Sequence, residues 1–374
     1  MGNRKWLRGF FLLLVLPVVL TGCIRMEKPM EQNTDTALNS TSSHEEDTEE
    51  IAVTPSAEVV ELENGFSVVR HDGDDGFDGF LSQGGASSDG EVVAYLAENL
   101  LSGLDLGDIV GGIFGCSTIA SENRAGEKLF GRNFDWENCE AMIVASYPEN
   151  GYASLSTVNM DFITQNVSGA VEIAMRADEV KTLAALYAPL DGMNEAGLAV
   201  SVNMIQDSAT ISQDTGKPNL TTTTAIRLLL NQAADVDEAL ELLNQYDMHA
   251  SMGMMVHFAL ADASGRSVAV EYVDNQMIVI ETPVLTNFYL AEGEKQGVGT
   301  QQSHERYEIL MERLEESETM EMPDMRDALN SVSKDNFEEF ASTEWSALFN
   351  LNTGEARYYH RENYETCYRL QLEK

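Results

Sequence analysis

The most informative part of the chain reads Gly115-Cys116-Ser117-Thr118-Ile119 and, after a short interval, Gly131-Arg132-Asn133-Phe134-Asp135-Trp136. Arg132 and Asp135 follow Cys116 by 16 and 19 residues, and a hairpin of that length can fold both side chains back over the thiol. A cationic neighbour lowers the pKa of a thiol and favours the nucleophilic thiolate. Taken alone, however, Cys116 could equally be a buried core thiol, and Arg132 with Asp135 an ordinary surface ion pair.

The rest of the chain groups its strand-like and helix-like patterns into blocks. Alternating apolar runs at 141–147 and 152–158 are typical of strands, as is the run 198–203 after a turn. Helical spacing is clearest over 222–246, where Asp235-x-x-Glu238 predicts the start of a second helix. Strict alternation of strands and helices is absent, so we expect an α+β fold with antiparallel sheets covered by segregated helices.

Motifs spread over about residues 116–360 resemble, in the same order, those of the choloylglycine-hydrolase and acid-ceramidase-like group of N-terminal-nucleophile hydrolases. This group includes bile salt hydrolases, penicillin V acylases and acyl-CoA:6-aminopenicillanate acyltransferases. Beyond the two segments quoted above, the matching stretches are Asp191-Gly192-Met193-Asn194-Glu195-Ala196-Gly197-Leu198, Leu260-Ala261-Asp262-Ala263-Ser264-Gly265 with Glu271, Thr286-Asn287-Phe288, Ser303-His304-Glu305-Arg306-Tyr307 and Trp345-Ser346. The resemblance implies a four-layer α-β-β-α sandwich and hydrolysis of linear amides.

The resemblance also implies how the reaction would start. Cys116 would attack the amide carbonyl as a thiolate, and the free α-amino group of the same residue would be its base. An α-amine titrates near about 7.7–8.0, which suits proton transfer at neutral pH. Arg132 would lower the pKa of the thiol, and Asp135 would hold the α-amine by a hydrogen bond. No histidine, organic cofactor or metal is then required.

Three more site residues follow from the resemblance. Asn203 and Asn287 would donate hydrogen bonds to the oxyanion of the tetrahedral intermediate, and Arg306 would connect the network electrostatically. Each has a simpler interpretation, because the asparagines could lie in turns or at strand ends and Arg306 could be a solvated helix residue. Asn203 stands where bile salt hydrolases carry Asn and penicillin V acylases carry Tyr, which weakly favours bile-salt-like amides.

Composition excludes several other functions. The chain has 62 acidic and 23 basic residues among 374, a formal net charge of −39, so it cannot neutralise nucleic-acid phosphates. The six histidines include no close pair, which argues against a metal site built on paired imidazoles. Four cysteines are too few for a disulfide scaffold. Cys139 and Cys367 are expected to be inert or bonded to each other.

The first residues indicate export. Basic residues precede a short apolar run that ends in Leu20-Thr21-Gly22-Cys23, which resembles a bacterial lipobox. We therefore expect 1–22 to be a lipoprotein signal peptide and Cys23 to carry the lipid that anchors the protein on the extracytoplasmic side of a bacterial membrane. A plain cleaved signal and an uncleaved anchor are the alternatives.

We expect two different regions between this signal and Cys116. Residues 23–63 are polar and acidic and are predicted to be a disordered tether, and 64–115 to be a propeptide-like segment with one helix over 90–104. The hydrolase domain would occupy 116–374. An α-amine at Cys116 requires cleavage of the Gly115–Cys116 bond, as in the acyltransferase branch that the chain resembles. The helix would then hold the two pieces together.

The sequence therefore predicts an exported lipoprotein amidohydrolase that acts on N-acyl amides or conjugated bile-salt-like amides through a Cys116 thioester. An acyltransferase that passes the acyl group to an amine, and a non-catalytic solute-binding lipoprotein, are the alternatives. The expected partners are a small amide substrate and the membrane, with no nucleic acid. A homo-oligomer is compatible with the sequence, which does not decide the assembly.

Overall fold

Two large β-sheets form the centre of the molecule. The computed structural model describes residues 48–100, 115–164, 173–335 and 341–373. A seven-stranded sheet contains, from edge to edge, β1 (Glu49–Ala52), β18 (Thr366–Gln371), β17 (Glu355–His360), β16 (Ser342–Asn350), β5 (Lys128–Trp136), β4 (Gly115–Glu122) and β15 (Val284–Leu285). Its neighbouring strands are antiparallel, apart from the parallel pair β1 and β18.

The second sheet has nine strands. Its order is β14 (Gln276–Glu281), β13 (Ser267–Val273), β12 (Val256–Ala261), β9 (Ala199–Met204), β8 (Asp191–Asn194), β7 (Ser154–Asn159), β6 (Ala141–Tyr147), β3 (Phe66–Asp72) and β2 (Val60–Glu63). Only β3 and β6 pair in parallel within it. A short parallel pair, β10 (Asn219–Thr221) with β11 (Asp247–His249), lies apart from both sheets.

Helices cover the outer faces of both sheets. The described helices are α1 (Phe77–Ser82), α2 (Asp89–Tyr95) with a π-helical turn at Leu96–Leu100, α3 (Asp161–Thr164), α4 (Asp178–Leu186), α5 (Thr222–Gln232), α6 (Val236–Leu243), α7 (Gln301–Glu316) and α8 (Met322–Asn330), with a 3-10 turn at Ser251–Gly253. Helices α4 and α5 pack on the nine-stranded sheet, and α7 and α8 pack on the seven-stranded sheet. The predicted four-layer α-β-β-α sandwich is thus confirmed.

Strand β5 shows how the sequence directs side chains to the two faces of a sheet. Phe130, Arg132 and Phe134 lie at every second position and therefore share one face, where the phenylalanines join the core between the sheets. On the other face, Asn133 donates to the Leu329 carbonyl of α8 at 2.8 Å. Arg132 therefore enters the interior between the sheets, while Asn133 faces the helix layer.

The segment upstream of Cys116 is more structured than the sequence predicts. Residues 23–47 lie outside the described residues, but β1 and β2 fall within the expected tether, so that expectation is wrong for 48–63. Both strands lie at sheet edges and are largely exposed, which explains their polar composition. Backbone pairing to the sheets holds them in place, together with Ile51 and Leu62, which are partly buried against the core.

The segment predicted to carry one helix contains β3, α1 and α2. Val68 and Val69 of β3 are completely buried, and Tyr95 of α2 is 7% exposed. The helix expected over 90–104 begins at Asp89, and residues 101–114 lie outside the described part. No described helix is both long enough and apolar enough to cross a membrane.

Candidate active site

Cys116 is the second residue of β4 and lies in the interior between the two sheets, 1% exposed. Its backbone N–H donates a hydrogen bond to Asn287 Oδ1 at 2.8 Å. Arg132 Nη2 donates to the thiol Sγ at 3.5 Å. A cavity of about 350 Å³, including its open mouth, adjoins the thiol and is lined in part by Phe134 and Met204. The thiol therefore faces both a cation and this cavity.

Arg132 is held rigidly on the side away from the thiol. It is completely buried and donates to the carbonyls of Leu190 and Val202, each at 2.9 Å. Its guanidinium also forms an ion pair with Asp191, whose carboxylate accepts a second hydrogen bond from Trp345 Nε1 at 2.9 Å. Burial alone would lower the pKa of Arg132, but Asp191 and the thiol outweigh it and raise the pKa above its ordinary value.

The thiol pKa results from opposing influences. Burial raises the pKa of Cys116, the positive charge of Arg132 lowers it, and Asp135 raises it again, so that the net shift is upward. Arg132 is thus the group that brings thiolate formation closer to neutral pH. Cys139 is buried near Glu344 instead, and burial together with that carboxylate raises its pKa well above the ordinary value.

Asp135 lies on the face of β5 opposite to Arg132. Its carboxylate accepts hydrogen bonds from Arg306 Nη1 and Thr343 Oγ1, both at 2.7 Å, and Lys334 Nζ lies 3.6 Å away. Gly115 is its direct partner across the β4–β5 ladder. A Cβ atom at Gly115 would lie 2.8 Å from Asp135 Oδ2, so the absence of a side chain there leaves room for the carboxylate beside the Gly115–Cys116 bond.

Arg306 connects Asp135 to the backbone nitrogen of Cys116. Its Nη2 donates to Asn287 Oδ1 at 2.6 Å, the same oxygen that accepts from the Cys116 N–H. Asn287 Nδ2 donates to the Met204 carbonyl at 2.7 Å. The structure therefore brings Asp135, Arg306, Asn287 and Cys116 into one hydrogen-bonded series.

Asn203 lies on strand β9 of the nine-stranded sheet, opposite the sheet that carries Cys116, and is completely buried. Its Nδ2 donates to the Leu285 carbonyl at 3.2 Å, and Ser201 Oγ donates to its Oδ1 at 3.3 Å. A side-chain amide carries two N–H groups, so Asn203 and Asn287 can each donate to one further acceptor. Both amides are fixed by backbone carbonyls, and the remaining N–H of each is the one available to an oxyanion.

Several supporting residues were not predicted from the sequence. Asp191 and Trp345 lie within motifs that carry the family resemblance, which was the available signal, whereas Thr343 and Lys334 had none. Cys139 and Cys367 are free and buried, not bonded to each other.

A buried histidine supports the segment that carries Asn287. His257 Nε2 lies 2.9 Å from the Thr286 carbonyl, and His257 Nδ1 lies 3.0 Å from Glu271 Oε1. Glu271 also accepts the backbone N–H groups of Leu290 and Ala291. Burial would raise the pKa of Glu271, but hydrogen bonds from His257 and the backbone lower it overall. This histidine therefore positions the segment that carries Asn287 and does not itself contact the thiol in the hydrogen bonds described.

Among the described residues, no group of three or more His, Cys, Asp or Glu side chains is arranged to hold a metal ion. Asp191 and Asp135 are paired with Arg132 and Arg306 instead.

Comparisons with known proteins give a family match and several structures of similar fold. Residues 116–289 match the family of linear amide C-N hydrolases, choloylglycine hydrolase family. A mutant of the conjugated bile acid hydrolase from Clostridium perfringens has a similar fold, with a TM-score of 0.50, 18% sequence identity, and coverage of 69% of this chain and 92% of that chain. No curated protein matches the chain.

Two further solved structures are similar at lower scores. A second variant of the same Clostridium perfringens enzyme gives a TM-score of 0.49 at 16% identity, covering 68% of this chain and 92% of that one. The penicillin V acylase from Agrobacterium tumefaciens gives 0.42 at 16% identity, covering 66% and 83%. The motifs and the family match lead to one conclusion: over residues 116–289 the chain is similar to the choloylglycine hydrolase family of linear amide C-N hydrolases.

Proposed function

We propose that the protein hydrolyses linear N-acyl amides through a thioester on Cys116. The observation that carries this proposal is the convergence on one residue of two arginine-based arrangements. Arg132 donates to the thiol, and the series Asp135–Arg306–Asn287 ends on the backbone nitrogen of Cys116. A thiol that is only part of a core needs neither a buried cation nor a fixed acceptor at its nitrogen.

The reaction would proceed in two acyl transfers. The α-amine takes the proton of the Cys116 thiol, and the thiolate forms a C–S bond to the amide carbonyl carbon while an electron pair moves to the oxygen. Asn203 and Asn287 donate to that oxygen. The C–N bond then breaks, and the leaving amine takes the proton from the α-ammonium. Water attacks the thioester with the α-amine as base, which releases a carboxylic acid and the thiol.

This base must first be formed by cleavage of the Gly115–Cys116 bond. The thiol would attack the Gly115 carbonyl, the peptide nitrogen would take the thiol proton, and water would hydrolyse the resulting thioester. Asn287 Oδ1, already bonded to that nitrogen, would then hold the new α-amine together with Asp135. The room at Gly115 supports this proposal, because a side chain there would collide with Asp135 and Lys334.

The upstream piece would stay attached after such a cut. Strand β1 pairs with β18, and β3 pairs with β6, so this piece contributes strands to both sheets. Helix α2 adds buried contacts through Val92 and Tyr95. We infer a non-covalent pair of chains, in which a lipid on Cys23 would anchor the small chain to the extracytoplasmic side of the membrane and the large chain would carry the site.

The test uses the purified full-length protein and its Cys116→Ala and Cys139→Ala variants. Substrates are glycine-conjugated bile salts, penicillin V and N-acyl amino acids, and the readout is release of the amine. We expect Cys116→Ala to lose more than about 99% of activity, since the thiolate is the nucleophile. Cys139→Ala, which removes a second buried thiol that does not contact Arg132, is the control and should keep its activity.

Two outcomes would contradict the proposal. Activity in Cys116→Ala above a few per cent of the starting protein would show that this thiol is not the nucleophile. Active protein whose N-terminal sequencing finds an intact Gly115–Cys116 bond would exclude both the cleavage and the α-amine as base. Transfer of the acyl group to an added amine, with little free acid, would identify an acyltransferase instead.

A further inference from the structure

A second cavity, larger than the one beside Cys116, lies under the helix that precedes the nucleophile. It encloses about 680 Å³ including its open mouth. Val93 and Leu96 form one wall, and the opposite walls include Phe162, Met175 and Ala188. Most of its lining is apolar, so it is suited to a ligand that gains free energy by leaving water.

The two cavities adjoin each other. Thr223, Ser251 and Met252 line both, so these residues form the wall that the two spaces share. They come from the start of α5 and from the 3-10 turn. A chain attached to Cys116 as a thioester has to pass these residues to enter the larger cavity.

The helix α2 is fixed to this passage by Asp89. The Asp89 carboxylate accepts the Met252 backbone N–H at 2.5 Å. Burial raises the pKa of Asp89, while the hydrogen bonds from Met252 and Ser251 lower it, so that the net shift is upward. Met252 has a φ of 55°, in the left-handed region, which orients its N–H toward the helix. The upstream segment thus holds the residues that connect the cavities.

The chemistry of the lining restricts the ligand. Among the described residues that line the larger cavity, Asp89 is charged and none is basic. An anionic tail would meet this carboxylate without a compensating cation, and burying an unpaired charge is costly. An uncharged apolar chain meets neither penalty.

We propose that the segment upstream of Cys116 forms the wall of an acyl-binding site, and that this site takes an uncharged, extended aliphatic acyl chain. The proposal rests on the proposed function for the attachment of that chain to Cys116. It adds a role for α2 beyond holding two pieces together, because α2 then determines which acyl groups are accepted.

The test compares two tryptophan substitutions on neighbouring residues of α2. Val93→Trp places a bulky ring in the cavity, whereas Ala94 is exposed and does not line it, so Ala94→Trp is the matched control. Substrates are N-acetyl-, N-butyryl-, N-octanoyl- and N-dodecanoylglycine, and the readout is kcat/KM for glycine release. Ala188→Phe fills the same cavity from the opposite wall and serves as the second variant should Val93→Trp fold poorly.

With the unchanged protein, kcat/KM should rise with chain length by up to about fourfold for each added methylene until the cavity is full. Val93→Trp and Ala188→Phe should lower the value for the dodecanoyl substrate by at least about tenfold and leave that for the acetyl substrate within about twofold. Ala94→Trp should leave the whole series unchanged. A series that does not depend on chain length, or one that all three variants affect equally, would overturn the proposal.

A binding measurement separates this inference from the proposed function. The unchanged protein and Val93→Trp are titrated by calorimetry with dodecyloxyacetate, which keeps the aliphatic chain and the carboxylate of dodecanoylglycine but has no amide to hydrolyse. Binding that Val93→Trp weakens at least about tenfold supports the acyl site even where no substrate is hydrolysed. Absence of binding, with hydrolysis of short acyl groups intact in the unchanged protein, overturns the acyl site and leaves the proposed function standing.

Discussion

The interior between the two sheets and the interior between the nine-stranded sheet and its helices each contain a completely buried arginine. Arg132, between the sheets, has a carboxylate partner in Asp191, and its pKa is raised despite burial. Arg227, on α5, reaches only neutral groups: the hydroxyls of Ser154 and Ser156 and the amide oxygen of Asn231, at 3.3–3.4 Å. Burial lowers the pKa of Arg227 to about 10.

The difference shows which charge the fold compensates. A pKa that falls from 12.5 to about 10 on folding means that the unfolded chain binds the proton more tightly, so the charged Arg227 costs about 3 kcal/mol of stability at neutral pH. Arg132 carries no such cost, because Asp191 offsets its burial. The compensated cation is the one that contacts the thiol, which is the reason to expect unequal effects when each arginine is removed.

The largest expected effect comes from removing Arg132. Arg132→Met leaves Asp191 buried with only Trp345 as a hydrogen-bond donor, and breaking a buried ion pair from one side costs about 3–5 kcal/mol. We expect that loss in the free energy of unfolding, measured by urea denaturation, together with loss of amide hydrolysis. The double variant with Asp191→Asn should regain most of the stability but no activity. If Arg132→Met alone lowers the free energy of unfolding by less than about 1 kcal/mol, the ion pair with Asp191 does not distinguish Arg132 from Arg227.

A second prediction concerns the ionisation of the thiol. In the double variant Arg132→Met with Asp191→Asn, loss of the cation removes the influence that lowers the pKa of Cys116, so that pKa should rise. We expect the pH midpoint of Cys116 alkylation by iodoacetamide, followed by mass spectrometry, to move upward by at least about one unit. At pH 8 the variant should therefore be alkylated more slowly than the unchanged protein.

Cys139 is the internal control for this measurement. Burial and Glu344 raise its pKa, and Arg132 is not among the groups that influence it. Its alkylation should stay slow in both proteins. An unchanged pH midpoint for Cys116, with Cys139 still unreactive, would show that Arg132 does not govern the thiolate.

The same two regions show what could be predicted from the sequence. Arg132 lies on the strand that pairs directly with β4, so its spacing from Cys116 was informative. Its partner Asp191 comes from the opposite sheet, 59 residues away, and only tertiary structure brings it there. The start of α6, where Asp235 accepts the Glu238 N–H, depends on local sequence and was predicted.

The edge strands show the opposite limit. Strands β1 and β2 have largely exposed, acidic sequences that are typical of a disordered segment. Their backbones form hydrogen bonds with β18 and β3, and such pairing leaves no hydrophobic pattern in the sequence. The cavity under α2 was likewise beyond prediction, because its walls come from segments far apart in the chain. Hydrophobic periodicity in a sequence indicates which side chains are buried. It does not predict the backbone pairing of exposed strands or the shape of a cavity between distant segments.

The smallest expected effect comes from removing Arg227. Arg227→Met replaces an uncompensated buried cation by an apolar side chain of similar length, and such replacements are often neutral or stabilising. The hydroxyls of Ser154 and Ser156 lose the weak hydrogen bonds of 3.4 Å that they accept from Arg227, which offsets part of the gain in stability. We expect the free energy of unfolding to change by less than about 2 kcal/mol, and amide hydrolysis to stay within about twofold, because Arg227 does not contact Cys116. Destabilisation as large as that of Arg132→Met would mean that Arg227 has a partner as strong as Asp191. Asp75, whose charge raises the pKa of Arg227, would then be the residue to substitute next.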